Sequence, residues 1–216
     1  MNRINIIKNA FEKGNQFHKK MYPLFKIFIN FLESEGFKYY LCGGSLLGCI
    51  RNNNRIGWDD DFDIYIDTKE IRKFNKFNYS DDNIKTDLNV FYRFDINNNK
   101  FVIILHSSKF WQVWIINESG KLVSKVTDIF NDKDVFYKKG IKPIGPPLKK
   151  KFNDMICNVS FNYKDELNYF YKNYKTEYVL CNHSINSCYW DRDRNNYIIM
   201  TANEYELYNK KFGINS

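Results

Sequence analysis

One stretch of the chain, LCGGSLLGCIRNNNRIGWDDDFDI at residues 41–64, carries the pattern that decides the fold. It begins with an apolar segment, breaks at Gly-Gly-Ser, continues with apolar residues at helical spacing, and ends in an acidic run that alternates with apolar residues. Helical spacing predicts an amphipathic helix, and strict alternation predicts a half-buried strand. The stretch therefore predicts the order strand, glycine-rich turn, helix and strand.

The acidic run supplies a candidate metal site. Asp61 and Asp63 lie two residues apart on a strand predicted over 61–67, so both side chains should project from one face. Phe62 and Ile64 should anchor the other face. Two neighbouring carboxylates without a cation repel each other and raise each other's pKa. Mg²⁺ or Mn²⁺ removes that penalty, and Mg²⁺ completes its coordination shell with water or substrate phosphate oxygens. The pair therefore predicts a divalent metal and a phosphorylated substrate.

The segment Gly43-Gly44-Ser45 predicts a phosphate-binding turn. Glycine lets the backbone approach a phosphate closely, and the following helix presents free N–H groups and the positive end of its dipole. Ser45 adds a hydroxyl donor. Arg51 lies further along the helix, where it could bind a second phosphate or pair with the acidic run. Such a turn alone is more often a plain loop, and its combination with the acidic strand makes the signal specific.

These residues together closely resemble the LicD and fukutin family, whose pattern is approximately GTLLGAxR, a short turn, and then IPWDDDxDI. Three departures stand out. Gly-Gly-Ser replaces a more usual Gly-Thr pair, Gly57 stands where the family has proline, and Asn131 replaces a proline after a later Asp-Ile-Phe. The resemblance is strong over residues 39–66 and weaker over the rest of residues 20–180.

The resemblance implies an α+β nucleotidyltransferase-like fold with a mixed sheet flanked by helices. It also implies a transferase that moves phosphocholine or ribitol phosphate from a CDP-activated donor to a hydroxyl of a sugar or glycan. Two alternatives stay open. One is nucleotidyl transfer from an NTP to a small molecule, a protein or RNA, and the other is a non-catalytic binding module of the same fold.

The resemblance further implies a third carboxylate on a later strand, and the segment VTDIF at 126–130 offers Asp128 for it. Asp128 would hold the metal with the acidic pair and could accept the proton of the attacking hydroxyl. Trp58 belongs either to the core or to a lid over the donor. The expected catalytic residues, which would also bind Mg²⁺ or Mn²⁺, are Asp61, Asp63 and Asp128, and the residues expected to bind the nucleotide donor are Gly43, Gly44, Ser45, Arg51 and Trp58.

The remaining patterns fill in one domain over 1–216, with a motif core at 39–130 and a helical C-terminal part at 160–216. The predicted elements are a helix along Phe17 to Leu32 ended by Gly36, a helix capped by Thr68, strand pairs over 88–105 and 111–130, irregular chain over 143–147, and a helix marked by Leu167, Phe170, Tyr171 and Tyr174.

Two other sets of residues could bind a different metal ion, one calcium and one zinc. Asp59, Asp61, Asp63, Tyr65, Asp67 and Glu70 match positions 1, 3, 5, 7, 9 and 12 of an EF-hand loop. Against calcium, Ile64 stands at position 6, where the loop needs glycine. Cys181, His183 and Cys188, completed by Cys157, are the other candidate set, for zinc, although they lack paired ligand spacing.

Composition limits the class of protein. An aromatic share of 18% and a hydrophobic share of 44% predict a folded chain. The net charge of +8 suits an anionic partner, but Lys is abundant together with Asn, Ile, Tyr and Phe, so we do not expect nucleic acid binding. Five cysteines without a CxxC pair predict free thiols. No secretory signal is evident at 1–11 and no run approaches the roughly 20 apolar residues of a spanning helix, so we expect a cytoplasmic protein.

Overall fold

We describe a computed structural model of the chain over residues 2–78, 89–106, 110–132, 141–180 and 198–213. Within these ranges the elements, in chain order, are α1 (Arg3–Ser34), β1 (Tyr39–Leu41), α2 (Gly43–Asn52), β2 (Asp63–Ile66), α3 (Thr68–Ile71) followed by a 3-10 helix (Arg72–Phe77), β3 (Asn89–Ile96), β4 (Asn99–His106), β5 (Phe110–Ile116), β6 (Leu122–Phe130), β7 (Leu148–Phe152), β8 (Met155–Val159), α4 (Tyr163–Phe170), β9 (Glu177–Val179), β10 (Ile199–Thr201) and α5 (Ala202–Phe212).

Eight of the described strands form one sheet in the order β3-β4-β5-β6-β2-β1-β8-β7. β2 and β6 are parallel, as are β1 and β8, and the other neighbours are antiparallel. β9 and β10 form a separate two-stranded sheet. This mixed sheet with flanking helices confirms the predicted α+β fold. It also places the parallel neighbours β2 and β6 near the middle of the sheet.

The long helix α1 begins earlier than the aromatic pattern from Phe17 predicts. It starts at Arg3, where the side chain of Asn2 accepts the N–H of Ile4 and so caps the first turn. It ends as predicted beside Gly36, whose φ of +68° is the left-handed conformation that glycine adopts most easily. Neither α1 nor any other helix in the described ranges is long and apolar enough to cross a membrane.

The two faces of the large sheet bury different side chains. On one face α1 packs against Ile64 and its neighbours, and Phe25 stacks on Phe62 with ring centroids 4.3 Å apart. Burying one such ring contributes about 1.5–3 kcal/mol. Alternate residues of β2 project the other way, where Tyr65 belongs to a small separate cluster and Asp63 lies beside β6. The aromatic core on the α1 side therefore anchors β2 and leaves its opposite face for polar groups.

Both predicted hairpins are present, as β3–β4 and β5–β6. Asn97 and Asn98 join the first pair with φ values of 51° and 66°. Two successive left-handed residues are what a two-residue hairpin turn needs to match the twist of its strands, and asparagine tolerates that conformation. The Asn run therefore predicted this turn for the correct physical reason.

Several boundaries differ from the prediction. Asp67, one residue before Thr68, caps α3 by accepting the N–H of Lys69. α4 ends at Phe170, because the chain turns away before Asn173, which has a φ of 60°. The β7–β8 hairpin and the β9–β10 pair were not predicted, whereas α5 lies within the predicted helical part at 160–216. In β7 three consecutive lysines hide the alternation of a strand, so the sequence pattern there is weak.

Candidate metal centre and donor site

The parallel pairing of β2 and β6 brings predicted carboxylates together. Asp63 and Asp128 are register partners, and the Asp128 N–H donates to the Phe62 carbonyl oxygen over 2.9 Å. Register partners on neighbouring strands project from the same face. We expected Asp61 on the strand as well, but β2 begins at Asp63, so Asp61 reaches the site from the preceding loop. One carboxylate oxygen from each of the three aspartates lies within 4.8 Å of the other two.

The glycines of the Gly-Gly-Ser segment make room for these carboxylates. α2 begins at Gly43, so the segment forms the first turn of the helix and not a separate turn before it. Gly43 has a φ of +54°, and a Cβ atom there would lie 2.7 Å from Oδ2 of Asp63. A Cβ atom on Gly44 would lie 2.9 Å from Oδ2 of Asp59. Both glycines are therefore needed for the acidic run to approach the helix.

The first N–H groups of α2 donate to carboxylates of the protein itself. The Gly44 N–H donates to Oδ2 of Asp63 over 3.2 Å, and the Gly43 N–H donates to Oε1 of Glu166 over 3.1 Å. A helix N-terminus favours anions because its N–H groups have no partner within the helix and its dipole is positive there. We predicted that a substrate phosphate uses these donors. In the structure internal carboxylates use them.

The surroundings of Asp63 strongly perturb its pKa. Burial raises its pKa well above the usual range, and the negative charges of Asp61, Asp128 and Asp59 raise it further, while Lys125 lowers it. A divalent cation among these oxygens would remove the repulsion. Carboxylate oxygens are also the ligands that Mg²⁺ and Mn²⁺ prefer. The donor set and its electrostatics therefore fit a divalent metal ion.

Lys125 is a cation inside this cluster that the sequence analysis missed. Its Nζ lies 2.6 Å from Oδ2 of Asp128. Burial lowers the pKa of Lys125, but the carboxylates of Asp128 and Asp61 outweigh burial, and the net shift is upward. Lys125 and Asp128 are three residues apart, so on a regular strand they would face opposite ways. A β-bulge inserts one extra residue in β6 between Lys125 and Thr127 and turns the lysine to the same side.

Two further side chains hold Asp128 in place. The amide nitrogen Nε2 of Gln112, on β5, donates to Oδ1 of Asp128 over 2.9 Å, and the Trp114 indole N–H donates to Oε1 of Gln112 over 3.1 Å. Gln112 and Asp128 are register partners across β5 and β6. The neighbouring residue Thr127 is also held, because its hydroxyl donates to the Phe62 carbonyl oxygen over 2.8 Å. Asp128 is therefore oriented by neighbours on both sides before any ligand binds.

Asp59 and Asp60 lie beside Asp61 and form a second group of carboxylates with it. One oxygen from each lies within 4.8 Å of the other and of an oxygen of Asp61. All three side chains are partly exposed. Asp61 therefore belongs to two overlapping groups of carboxylates, one buried against β6 and one open to solvent.

Three side chains were predicted to bind the nucleotide donor. None of them is an exposed hydrogen-bonding group at the carboxylate cluster. Ser45 is fully buried, and its Oγ accepts the Asp63 N–H over 2.9 Å, so it joins α2 to the start of β2. Trp58 is 1% exposed and packs edge-on against Phe11, which makes it a core residue and excludes a lid.

Arg51 lies at the opposite end of α2 from the carboxylates. Its Nη1 donates to the Glu177 carbonyl oxygen over 3.1 Å, and its guanidinium carbon lies 3.9 Å from the centroid of the Tyr178 ring. The helix separates Arg51 from Gly44 by seven residues, which corresponds to about 10 Å along its axis. In this structure Arg51 fastens α2 to β9, and its binding of a second phosphate stays a prediction.

The loop between α2 and the acidic run is held by residues that the sequence analysis did not single out. The buried Arg55 donates through Nη1 to the carbonyl oxygens of Ile56 and Gly57. Burial lowers the pKa of Arg55 to about 10, and the nearby Asp59 opposes that shift. The hydroxyl of Tyr205, on α5, accepts the Gly57 N–H over 3.2 Å. The C-terminal helix therefore helps to fix the backbone that leads into the acidic run.

Glu166 is a second missed residue, and the sequence did contain a signal for it. In α4, Tyr163, Glu166, Leu167 and Phe170 form the i, i+3, i+4, i+7 stripe that faces the core, so a carboxylate stands in an apolar stripe. Glu166 is 1% exposed, and its Oε2 has no hydrogen-bond partner among the described residues. Burial raises its pKa to about 8, although the Gly43 N–H opposes the shift.

The structure excludes one of the two alternative metal sites. The EF-hand alternative is wrong, because Asp63–Ile66 is strand β2 in the large sheet and not part of a calcium-binding loop. Glu70, the expected twelfth ligand, instead accepts the Lys38 N–H and pairs with Lys73. The zinc candidates at 181, 183 and 188 lie outside the described residues. Their proposed fourth partner, Cys157, is a buried thiol whose pKa burial raises to about 12.

The fold and the carboxylate cluster together define a nucleotidyltransferase-like α+β domain. The sequence model of the LicD/FKTN/FKRP nucleotidyltransferase domain matches residues 36–159, more than half of the chain. The chain belongs to that family, as its motif predicted. No curated protein matches the chain in a sequence search. Glu166 and Tyr205 lie beyond the matched residues, yet both contact the motif segment.

Proposed function

We propose that this protein is a divalent-metal-dependent transferase that moves a phospho-substituent from a CDP-type nucleotide donor to a hydroxyl group of a sugar or glycan. The supporting observation is the convergence of one oxygen each from Asp61, Asp63 and Asp128 within 4.8 Å. Family membership supports a transferase. The resemblance of the motif to LicD and fukutin sequences favours the CDP-type donor and the glycan acceptor.

The carboxylates supply the binding site for Mg²⁺ or Mn²⁺, which when bound stabilises negative charge that develops on the transferring phosphoryl group. Asp63 and Asp128 are held by adjacent strands, so their oxygens keep a fixed separation. Asp61 comes from a loop and can adjust to the size of the ion. We assign Asp128 to metal binding in preference to the general-base role, because one of its oxygens lies within 4.8 Å of oxygens of Asp61 and Asp63.

A direct assay separates this proposal from its alternatives. The protein is incubated with Mn²⁺ and either CDP-choline, CDP-ribitol or an NTP, in the presence of sugar and glycan acceptors, and the released nucleotide is identified. Our proposal predicts CMP from a CDP-linked donor. Pyrophosphate from an NTP would support nucleotidyl transfer instead.

Variants test whether the cluster is the active centre. Asp63→Asn and Asp128→Asn should remove turnover, and Asp95→Asn, which changes an exposed aspartate on β3, should leave it unchanged. Circular dichroism confirms that each variant folds. Full activity in Asp63→Asn would contradict the proposed site, and no turnover with any donor in the wild type would favour a binding module.

A further inference from the structure

Lys125 combines features that a plain surface ion pair lacks. Its ammonium lies 2.6 Å from Oδ2 of Asp128, and the exposed fractions of the two side chains are 27% and 8%. It also interacts electrostatically with Asp61 and Asp63. The same ammonium therefore pairs directly with Asp128 and is attracted by the charges of the other two carboxylates that we assign to the metal.

The backbone places Lys125 there at a structural cost. The bulge in β6 between Lys125 and Thr127 leaves one residue without a partner on β5 and interrupts the ladder of β6. If the same residues formed a regular strand without the bulge, Lys125 would lie three positions from Asp128 and would project from the α1 face of the sheet, where aromatic residues fill the core. The bulge therefore turns the Lys125 side chain toward the carboxylates.

We propose that Lys125 is the resident counter-ion of the carboxylate cluster, that it competes with the divalent metal for Asp128, and that on metal binding its ammonium turns to the anionic phosphates of the donor. The competition stands on the geometry alone. The second role, phosphate binding, rests on the proposed function.

Charge balance supports both roles. Three ionised carboxylates carry three negative charges, and Lys125 offsets one of them. A divalent ion at the same oxygens would offset the other two and would repel the ammonium from the oxygen that both contact, so the flexible lysine becomes available to an incoming phosphate. Lysine suits this exchange because its ammonium is a compact charge on a flexible stem.

The competition predicts that the affinity for the divalent metal rises when the charge of Lys125 is removed. Removing a positive charge beside the carboxylates should strengthen divalent binding roughly tenfold, because like charges a few ångströms apart repel each other even at the dielectric constant of water. Protons also bind more tightly to the carboxylates when Lys125 is removed. The gain for a divalent ion is twice the gain for a proton, because Coulomb energy scales with charge.

The first experiment measures Mn²⁺ affinity at pH 8 by calorimetry, with no donor and no turnover. Lys125→Met should bind Mn²⁺ roughly tenfold more tightly than the wild type, and Lys125→Arg, which keeps the charge, should stay near the wild type. Lys121→Met removes an exposed lysine at the start of the same strand and is the matched control, with unchanged affinity. Unchanged or weaker Mn²⁺ binding in Lys125→Met would overturn the competition.

The second experiment measures binding of inorganic pyrophosphate to the Mn²⁺-loaded protein. Lys125→Met should bind pyrophosphate at least several-fold more weakly, and Lys125→Arg should restore much of the affinity. Equal pyrophosphate binding in Lys125→Met and the wild type would overturn the phosphate role. Because neither titration needs turnover, a protein without transferase activity could still show the competition, so the failure of one proposal is distinguishable from the failure of the other.

Discussion

The two ends of α2 differ in what they contact, although the sequence analysis considered both for phosphate binding. At the N-terminal end, the first N–H groups donate to Asp63 and Glu166, and the glycines allow the acidic run to pass close by. At the C-terminal end, Arg51 donates to the backbone of β9 and covers the Tyr178 ring. The comparison teaches that two residues of one sequence motif need not lie at the same site, because the ends of a ten-residue helix are about 15 Å apart and meet different neighbours.

The largest effect that tests this comparison is expected at Asp63. Asp63→Asn should lower turnover by roughly 10³-fold, because several kcal/mol of metal-dependent charge stabilisation are lost. Its free energy of unfolding at pH 8 should rise, because a buried charge next to other carboxylates is removed. Steady-state kinetics and denaturant unfolding measure the two quantities. Loss of stability together with activity would show that Asp63 serves the fold more than the metal.

The next effect is the pH dependence of stability from Glu166. Its folded pKa of about 8 lies above the usual value of 4.5, so the folded state holds a proton that the unfolded state releases above that value. The contribution is fully present below about pH 4.5 and is lost as pH rises toward 8, by an amount on the order of a few kcal/mol.

Glu166→Gln should remove this component, because the amide keeps the acceptor for the Gly43 N–H without a titrating group. Denaturant unfolding between about pH 5.5 and 8 provides the measurement. Asp63 gives a residual slope of the same sign, so the variant should be flatter than the wild type and not flat. Equal slopes in both proteins would mean that Glu166 is ionised in the folded state.

A smaller effect separates backbone strain from crowding at the start of α2. Gly43→Ala should lose about 1–2 kcal/mol from its left-handed φ of +54° and should also weaken Mn²⁺ binding, since the added Cβ would displace Asp63. Gly36→Ala is the matched control. Gly36 has a φ of +68° and nothing within 4 Å of an added Cβ, so this variant should lose stability and keep its Mn²⁺ affinity. Calorimetry of both variants makes the comparison.

The smallest effect is expected at the far end of α2. Arg51→Met should lower the free energy of unfolding by about 1–2 kcal/mol, because one hydrogen bond and one cation–π contact are lost. The Michaelis constant for the donor should stay unchanged, since Arg51 lies away from the carboxylates. A large increase in that constant would support the prediction that Arg51 binds phosphate.

Local patterns predicted elements well and boundaries less well. The hairpin turn at Asn97 and Asn98, the amphipathic helix α1 and the acidic strand were all predictable, because each follows from the spacing or backbone preference of neighbouring residues. The start of α1 and the cap at Asp67 were missed, because each depends on one side chain that accepts a backbone N–H. The β7–β8 hairpin was missed because the three lysines of β7 conceal its periodicity.

The site was predictable as a set of acids and not as a set of partners. Asp61, Asp63 and Asp128 meet as the motif implied. Lys125 escaped notice because the regular period of a strand places it on the wrong face, and a bulge that no local signal marks reverses its direction. Gln112 escaped notice because it belongs to the site through its pairing with β6 across the sheet.

By itself the sequence determined the fold class, the family and the identity of the carboxylates, because periodicity and motif spacing are properties of neighbours in the chain. Only the tertiary structure decided that the donors at the start of α2 serve Asp63 and Glu166, that Ser45, Arg51 and Trp58 hold the fold together, and that a lysine stands among the acids. These outcomes depend on strand register and on the packing of α4 and α5, which bring together residues more than a hundred positions apart in the chain.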